Sequence, residues 1–259
     1  MGIFDDEVQL WNYYRVTLQF RDKLMGGVPK DPNIIEGWLR AKAGITNTEE
    51  VRQATARTLI ELGYDVKPGM TYEEMVEASK EVAGAKMTNG FKADPLLGLY
   101  IEGRQVKAAI KESVNIHYAG DRWGRTKKGP KSYTAERTFV LEDRIPLGMT
   151  EPSGVELFVG HVSGAGGERS TLTYFEYAQR PAITFHVMES KVVLDKDQPG
   201  SLTREQWAII FVSMQEQGIG ALRSQGHGRF DVTAFDKIDA SEAPKMSEIT
   251  ERAFAELIG

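Results

Sequence analysis

Residues 13–20, YYRVTLQF, alternate with a period of two: Tyr14, Val16, Leu18 and Phe20 fall on one side, Tyr13, Arg15, Thr17 and Gln19 on the other. Neighbouring side chains of a strand point to opposite faces, so this pattern predicts a half-buried β-strand and a sheet to hold it. Comparable alternation recurs in TFVLEDRIPL, VELFVGHVSG, TLTYFEYAQR, AITFHVMESKVVL and GRFDVTAFDKI. One wet face and one dry face per strand is the signature of antiparallel pairing, and these segments read as strands and hairpins of such a sheet.

Helices interrupt the strands. Asp31 and Pro32 open a run with Ile34, Ile35, Trp38 and Leu39 as an apolar stripe. A second run follows Thr46 or Thr48 and stops at Gly63, and a third has a Thr71/Glu74 capping box and closes at Gly84. Further on, Val106, Ile110 and Val114 share one side of a helix and Arg104, Lys107 and Lys111 another. The run LTREQWAIIFVSMQEQG carries a Thr203/Gln206 capping box and a Gly218 stop, and the tail after SEAPK reads as a terminal helix. Trp11, Trp38 and Trp207 are expected in the core. The order of strand, helical insertion, helix, several strands, helix, glycine turn and strand gives an α+β class, with a ferredoxin-like or RNA-recognition-like antiparallel sheet. At 259 residues the chain reads as a single enlarged domain, 1–259, with 31–90 an inserted helical lobe and 117–135 a long basic loop.

Composition narrows the chemistry. There is no cysteine, which excludes disulfides, thiolate metal sites and a cysteine nucleophile and fits a reducing compartment. The first residues lack a basic segment followed by an apolar run, no stretch approaches ~20 apolar residues, and the chain is expected in the cytoplasm without a membrane partner. The four histidines, His117, His161, His186 and His227, show no metal-ligand spacing, and neither metal nor cofactor is expected. Residues 163–170, SGAGGERS, read as a flexible connector first and an anion nest second.

The net charge is −5, yet ten Lys or Arg against five acids lie between Gly103 and Arg144. A local excess of this kind can draw a polyanion to one face of an acidic molecule, although it equally suits a solvated loop. The segment HYAGDRWGRTKKGPKSY supplies Arg122, Arg125, Lys127, Lys128 and Lys131, with Trp123 as a base-stacking candidate. A second cationic element is GIGALRSQGHGRF, residues 218–230, where Gly218, Gly220, Gly226 and Gly228 surround Arg223 and Arg229. Glycine permits positive φ and close approach, so amides and guanidinium groups can meet a phosphate there. The same glycines also serve a tight turn from helix into strand.

GIGALRSQGHGRF, between the last long helix and the closing strand, resembles the glycine-rich loop of the RAMP superfamily, the RNA-binding proteins that build CRISPR effector complexes. YIEGRQVKAAIKES resembles the turn and first long helix of their backbone subunits, with Glu102, Arg104, Gln105 and Ala108 departing from the usual proline, paired serines and glycine. TLTYFEYAQRPAITFHV resembles their strand, turn and strand. The resemblance implies a non-catalytic protein of antiviral defence, or a divergent relative carried by a mobile element. Its partners would be single-stranded RNA or DNA, RNA favoured, together with further copies or other subunits of a ribonucleoprotein. The alternatives are a metal-independent endoribonuclease with His227 as general base and an adaptor that binds another protein.

Overall fold

The computed structural model describes residues 10–30, 67, 70, 71, 74, 88–117, 134, 136–164, 167–190 and 201–244, with backbone alone over 160–171. The expected terminal helix and almost all of the helical lobe and basic loop lie outside them. In chain order the described elements are β1 (Trp11–Phe20), β2 (Lys23–Met25), β3 (Val28–Pro29), β4 (Thr88–Gly90), β5 (Lys92–Asp94), β6 (Gly98–Glu102), α1 (Gly103–His117), β7 (Thr138–Val140), β8 (Arg144–Pro146), β9 (Gly154–Gly164), β10 (Gly167–Gln179), β11 (Ala182–Ser190), α2 (Arg204–Gln217) and β12 (Phe230–Ile238). The fold is mixed α+β with mostly antiparallel sheets. Among the described residues no helix is long and apolar enough to cross a membrane.

The chain forms two compact units. In the first, a four-stranded sheet runs β12-β1-β11-β7, every neighbouring pair antiparallel. Counting only the strands and helices of this unit's core, the chain passes β1, α1, β7, β11, α2, β12. That is the β-α-β-β-α-β order of the ferredoxin-like plan. The alternation of residues 13–20 is realised as read: Val16, Leu18 and Phe20 are fully buried and Tyr14 nearly so. Ile183, Phe185 and Val187 of β11 join them, opposite Leu18, Val16 and Tyr14 in register. From α1, Val106, Ile110 and Val114 are fully buried, and from α2, Ile210, Met214 and Trp207. The ring of Trp207 lies 5.8 Å from Tyr14 and 5.7 Å from Phe235, and Phe235 stacks on Tyr14 at 5.0 Å. Each buried aliphatic or aromatic side chain of this kind contributes about 1.5–3 kcal/mol. Trp11, expected in the core, is only half-buried; its ring meets the edge of the exposed Phe139 at 5.9 Å.

The α2 capping box is complete: Gln206 N donates to Thr203 Oγ1 at 3.2 Å and Thr203 N to Gln206 Oε1 at 2.8 Å. The Thr71/Glu74 box is equally reciprocal, at 3.2 and 2.7 Å, and hydrogen bonding from the Thr71 backbone amide, then from its side chain, holds the Glu74 carboxyl below its usual range. TFVLEDRIPL, read among the strands and hairpins, forms two short strands, β7 and β8. The break is at Glu142, whose side chain turns inward to His186.

The second unit, Lys23–Tyr100 and Pro146–Gln179, is organised on β10. This strand pairs with β9 along an eleven-residue register and with β2, both antiparallel, and with β4 in parallel. SGAGGERS, expected as a flexible connector, is strand backbone on both sides: β9 runs to Gly164 and β10 starts at Gly167. Thr88–Gly90, assigned by sequence to the end of the helical lobe, is strand β4. On β10 itself Glu176 is buried, paired with Lys30 Nζ at 2.5 Å and accepting from Phe91 N at 3.1 Å. Gly26 and Gly90 allow that cluster to close, since a Cβ on Gly26 would lie 2.4 Å from the Gly90 carbonyl carbon and one on Gly90 2.1 Å from Glu176 Oε2.

The first unit also buries a carboxylate. Glu189 of β11 is fully enclosed, accepting from Leu202 N and, at 3.3 Å, from Tyr14 Oη. Burial pushes its carboxyl up to about 7, against those hydrogen bonds and against Trp207 and Lys237, which favour the charged form. The indole Nε1 of Trp207 is itself buried and short of a hydrogen bond. Burial and the neighbouring Glu189 push the Tyr14 hydroxyl up to about 12. Folded Glu189 therefore keeps its proton between pH 4.5, its ordinary value, and about 7, where the unfolded chain has lost it. Its contribution to stability is full below that interval, falls as pH rises through it and stays reduced above. Glu189→Gln, which keeps an acceptor for Leu202, should melt higher than wild type at pH 8 by an amount corresponding to roughly 1–3 kcal/mol, and the difference should vanish below pH 4.5. Paired melting curves across that range check it.

Candidate nucleic-acid interface

The glycine segment folds back on its own base. α2 ends at Gly218, with φ 74°, whose amide caps Met214 O. Ile219 N donates to Gly228 O at 3.0 Å, and Arg21 N to Arg229 O at 3.0 Å, delivering the chain into β12. Two backbone runs meet here with no room for side chains. A Cβ on Gly228, at φ 74°, would lie 1.9 Å from Ile219 O, and one on Gly218 2.7 Å from His227 O. Gly220 and Gly226 also have positive φ, 94° and 89°, as does Leu222 at 55°, and a single 3-10 turn, Arg223–Gln225, forms the tip. Gln225 N and Gly226 N donate to Leu222 O and Arg223 O. Some amides are thus used inside the loop, and what it offers outward is chiefly the exposed tip, Ser224 to Gly226, and two guanidinium groups.

Arg223 Nη1 pairs with Glu112 Oε2 of α1 at 2.6 Å, both side chains partly exposed. This brings two of the sequence's candidate elements, the loop and the helix after YIEG, to one place. A partly exposed pair of this kind, open to solvent on one side, contributes on the order of 1 kcal/mol, so a phosphate can compete with the carboxylate. Arg229 is freer. Its partner Glu216 is 3.9 Å away and is held at 2.6 Å by Arg21, which also binds Asp231 at 2.8 Å. Those two carboxylates raise the Arg21 guanidinium's proton affinity, marking it as a fixed structural cation.

The three cations of α1 differ. Arg104, highly exposed, forks onto Glu102 Oε2 at 2.6 and 3.0 Å. Lys111 is half-buried and makes no ion pair among the described residues. Lys107 is committed inward: its Nζ donates to the carbonyls of Thr134 and Thr138 and to Thr138 Oγ1 at 2.7 Å. Burial, then repulsion from Lys111, pushes its ammonium down to about 8. Lys107 is thus the clamp of segment 134–138, a role that composition does not reveal. Arg122, Trp123, Arg125, Lys127, Lys128 and Lys131 lie outside the described residues. His227 is half-buried in the loop. Sequence reasoning also passed over Glu112 and Glu216, which set the availability of the two loop arginines. A carboxylate one helical face away from a cationic loop was the signal, visible only once the loop's position is known.

No protein-family model matches the chain, and no curated protein matches it. Among solved structures, a chain of the Type III-B Cmr-beta complex bound to cognate target RNA, determined by cryo-EM, is similar at 10% identity and a TM-score of 0.41. The match covers 89% of this chain and 62% of that one, so this chain spans less than two thirds of its length.

The close approach at the base of the loop separates backbone fit from charge. Gly228→Val should lower stability by about 2 kcal/mol or more, from a disfavoured φ and a collision with Ile219 O together. Gly226→Ala meets nothing within 4 Å and should cost only about 1 kcal/mol of conformational strain. Denaturant melts of the two variants beside wild type test the ordering.

Proposed function

We propose that the chain binds single-stranded nucleic acid, RNA in preference to DNA, through the glycine loop and the adjoining end of α1, as a backbone-type subunit of a ribonucleoprotein. The observation that carries this reading is the pairing of Arg223 with Glu112, which sets a rigid loop with two displaceable arginines beside the helix that leads into the basic segment. A phosphodiester chain is the polyanion that suits such a row: each guanidinium offers two donors in a plane, and neither is locked by a buried carboxylate. The sequence supports the same reading through the positive balance of residues 103–144 and the resemblance of the loop to its RAMP counterpart. A CRISPR effector complex is the setting that the resemblance favours, with copies stacked head to tail along the strand.

Replacing Arg223 and Arg229 together by alanine removes two phosphate contacts. The log-log slope of affinity against salt should flatten by about 1–1.5 for a single strand, with the melting temperature little changed. Replacing Lys127, Lys128 and Lys131 should act in the same direction. Titrations of unstructured RNA, single-stranded DNA and duplex DNA at several salt concentrations decide the matter. Wild type that binds none of them at low salt sinks the reading in favour of a protein-binding adaptor.

A further inference from the structure

α2 is apolar on both of its sides. Trp207, Ile210, Phe211 and Met214 form the buried side, whereas Ile209 and Val212 on the outer side stand 38% and 60% exposed. Ala208 is exposed beside them, and the helix carries no charge between Glu205 and Glu216, a length of ~16 Å. A surface helix ordinarily sets a charged face opposite its apolar stripe, and one that is apolar all round belongs inside a protein. α1 lies alongside: His117 Nε2 meets Ser213 Oγ at 2.9 Å, and Ser113 Oγ donates to Gln217 Oε1 at 3.5 Å. Next to His117, Ile116 is 55% exposed and enlarges the apolar surface at that end of the helix pair.

The chain's own path points to what covers this face. β12 runs back along α2: Ile219, just past the helix, is bonded to Gly228 O ahead of the strand. At the other end Lys237 acts electrostatically on Glu189, which accepts from Leu202 N just ahead of the helix. Beyond Ile238 the backbone turns, Glu242 N donating to Asp239 O at 3.0 Å and Asp239 N to Glu242 Oε1 at 3.4 Å. The chain therefore leaves β12 at the starting end of α2, redirected by that turn. In the sequence that follows, Ile249, Ala253, Phe254 and Leu257 fall on one side of a helical projection, and Glu251 and Arg252 on the other. Ile249 to Leu257 would span ~12 Å as a helix, within the uncharged length of α2. Pro244 to Ile249 can reach up to ~17 Å, more than the ~10–12 Å width of a helix. We propose that the C-terminal segment, residues 245–259, docks its apolar side on the outer face of α2 and the last turn of α1 of the same chain, as a third helix over the pair. So short a connection gives the tail an effective concentration in the millimolar range, which favours it over the same segment of a second copy. The surface is independent of the nucleic-acid reading, which rests on the loop at the far end of α2.

The experiment uses the full chain. Amides of residues 249–258 should exchange with deuterium ~10-fold or more slower than in a free peptide of the same sequence. Val212→Asp, at an exposed position, should abolish that protection while α1 and α2 keep theirs. Because the chain has no cysteine, Val212→Cys combined with Phe254→Cys creates a single pair for a bismaleimide of ~10 Å reach, matched to the separation of packed helices. The bridge should form within one chain, with a yield that dilution leaves unchanged, and should form less readily when Arg252→Cys replaces Phe254→Cys. Val212→Cys is a small, uncharged change on an exposed site, so this arm reads out on folded protein even where Val212→Asp unfolds. An unprotected tail, or protection that survives Val212→Asp, overturns the proposal. Bridges that join two chains and fade on dilution give the face to a second copy and overturn it as well.

Discussion

β1 is the strand on which the first unit depends. It is hydrogen-bonded on both edges, to β11 and to β12, so it has no freedom to slip without moving either neighbour. A slip of one residue would also turn Tyr14, Val16, Leu18 and Phe20 out to solvent and Arg15, Thr17 and Gln19 into the core. The cost would be several buried side chains at once. The one irregularity, a register shift against β12 at Thr17 and Leu18, leaves the buried row intact, and Thr233 Oγ1 reaches the Thr17 carbonyl there at 3.2 Å.

From that strand both the loop and the second face of the sheet take their positions. The dry side of β1 and β11 receives α1 and α2, and α2 ends in the glycine loop, whose position is fixed because Arg21, one residue past β1, bonds the Arg229 carbonyl and holds Glu216 and Asp231. The other side presents Arg15 and His186 as cross-strand neighbours. Loop and second face are thus both indexed to the same register, the loop through the end of β1 and the face through its middle.

Much of the fold was legible because it is written in local rules. Period-two alternation found β1, β9, β10, β11 and β12, and the capping residues Thr203 and Gln206 found the start of α2, since those interactions span a few residues and need no partner from elsewhere. The pairing order β12-β1-β11-β7 follows from the element order and connection rules of this plan. What local rules do not place is the break within the stretch from Thr138 to Pro146, where the chain leaves one strand and starts the next around Glu142. The reason is a long-range hydrogen bond to a residue forty-four positions away, a contact that spacing does not encode.

The sequence by itself determined which residues could be buried, where helices begin and stop, and that two cationic elements rich in glycine or lysine exist in an acidic chain. Only the tertiary structure decided how those charges are engaged. It turned Lys107 inward onto carbonyl groups and set Arg223 against a displaceable carboxylate. It also joined His186 to Glu142, while the sequence shows four scattered histidines and singles out only His227. The physical reason is range: burial and capping are properties of a residue and its near neighbours, whereas the availability of a charge depends on which opposite charge or dipole the fold brings within ~4 Å.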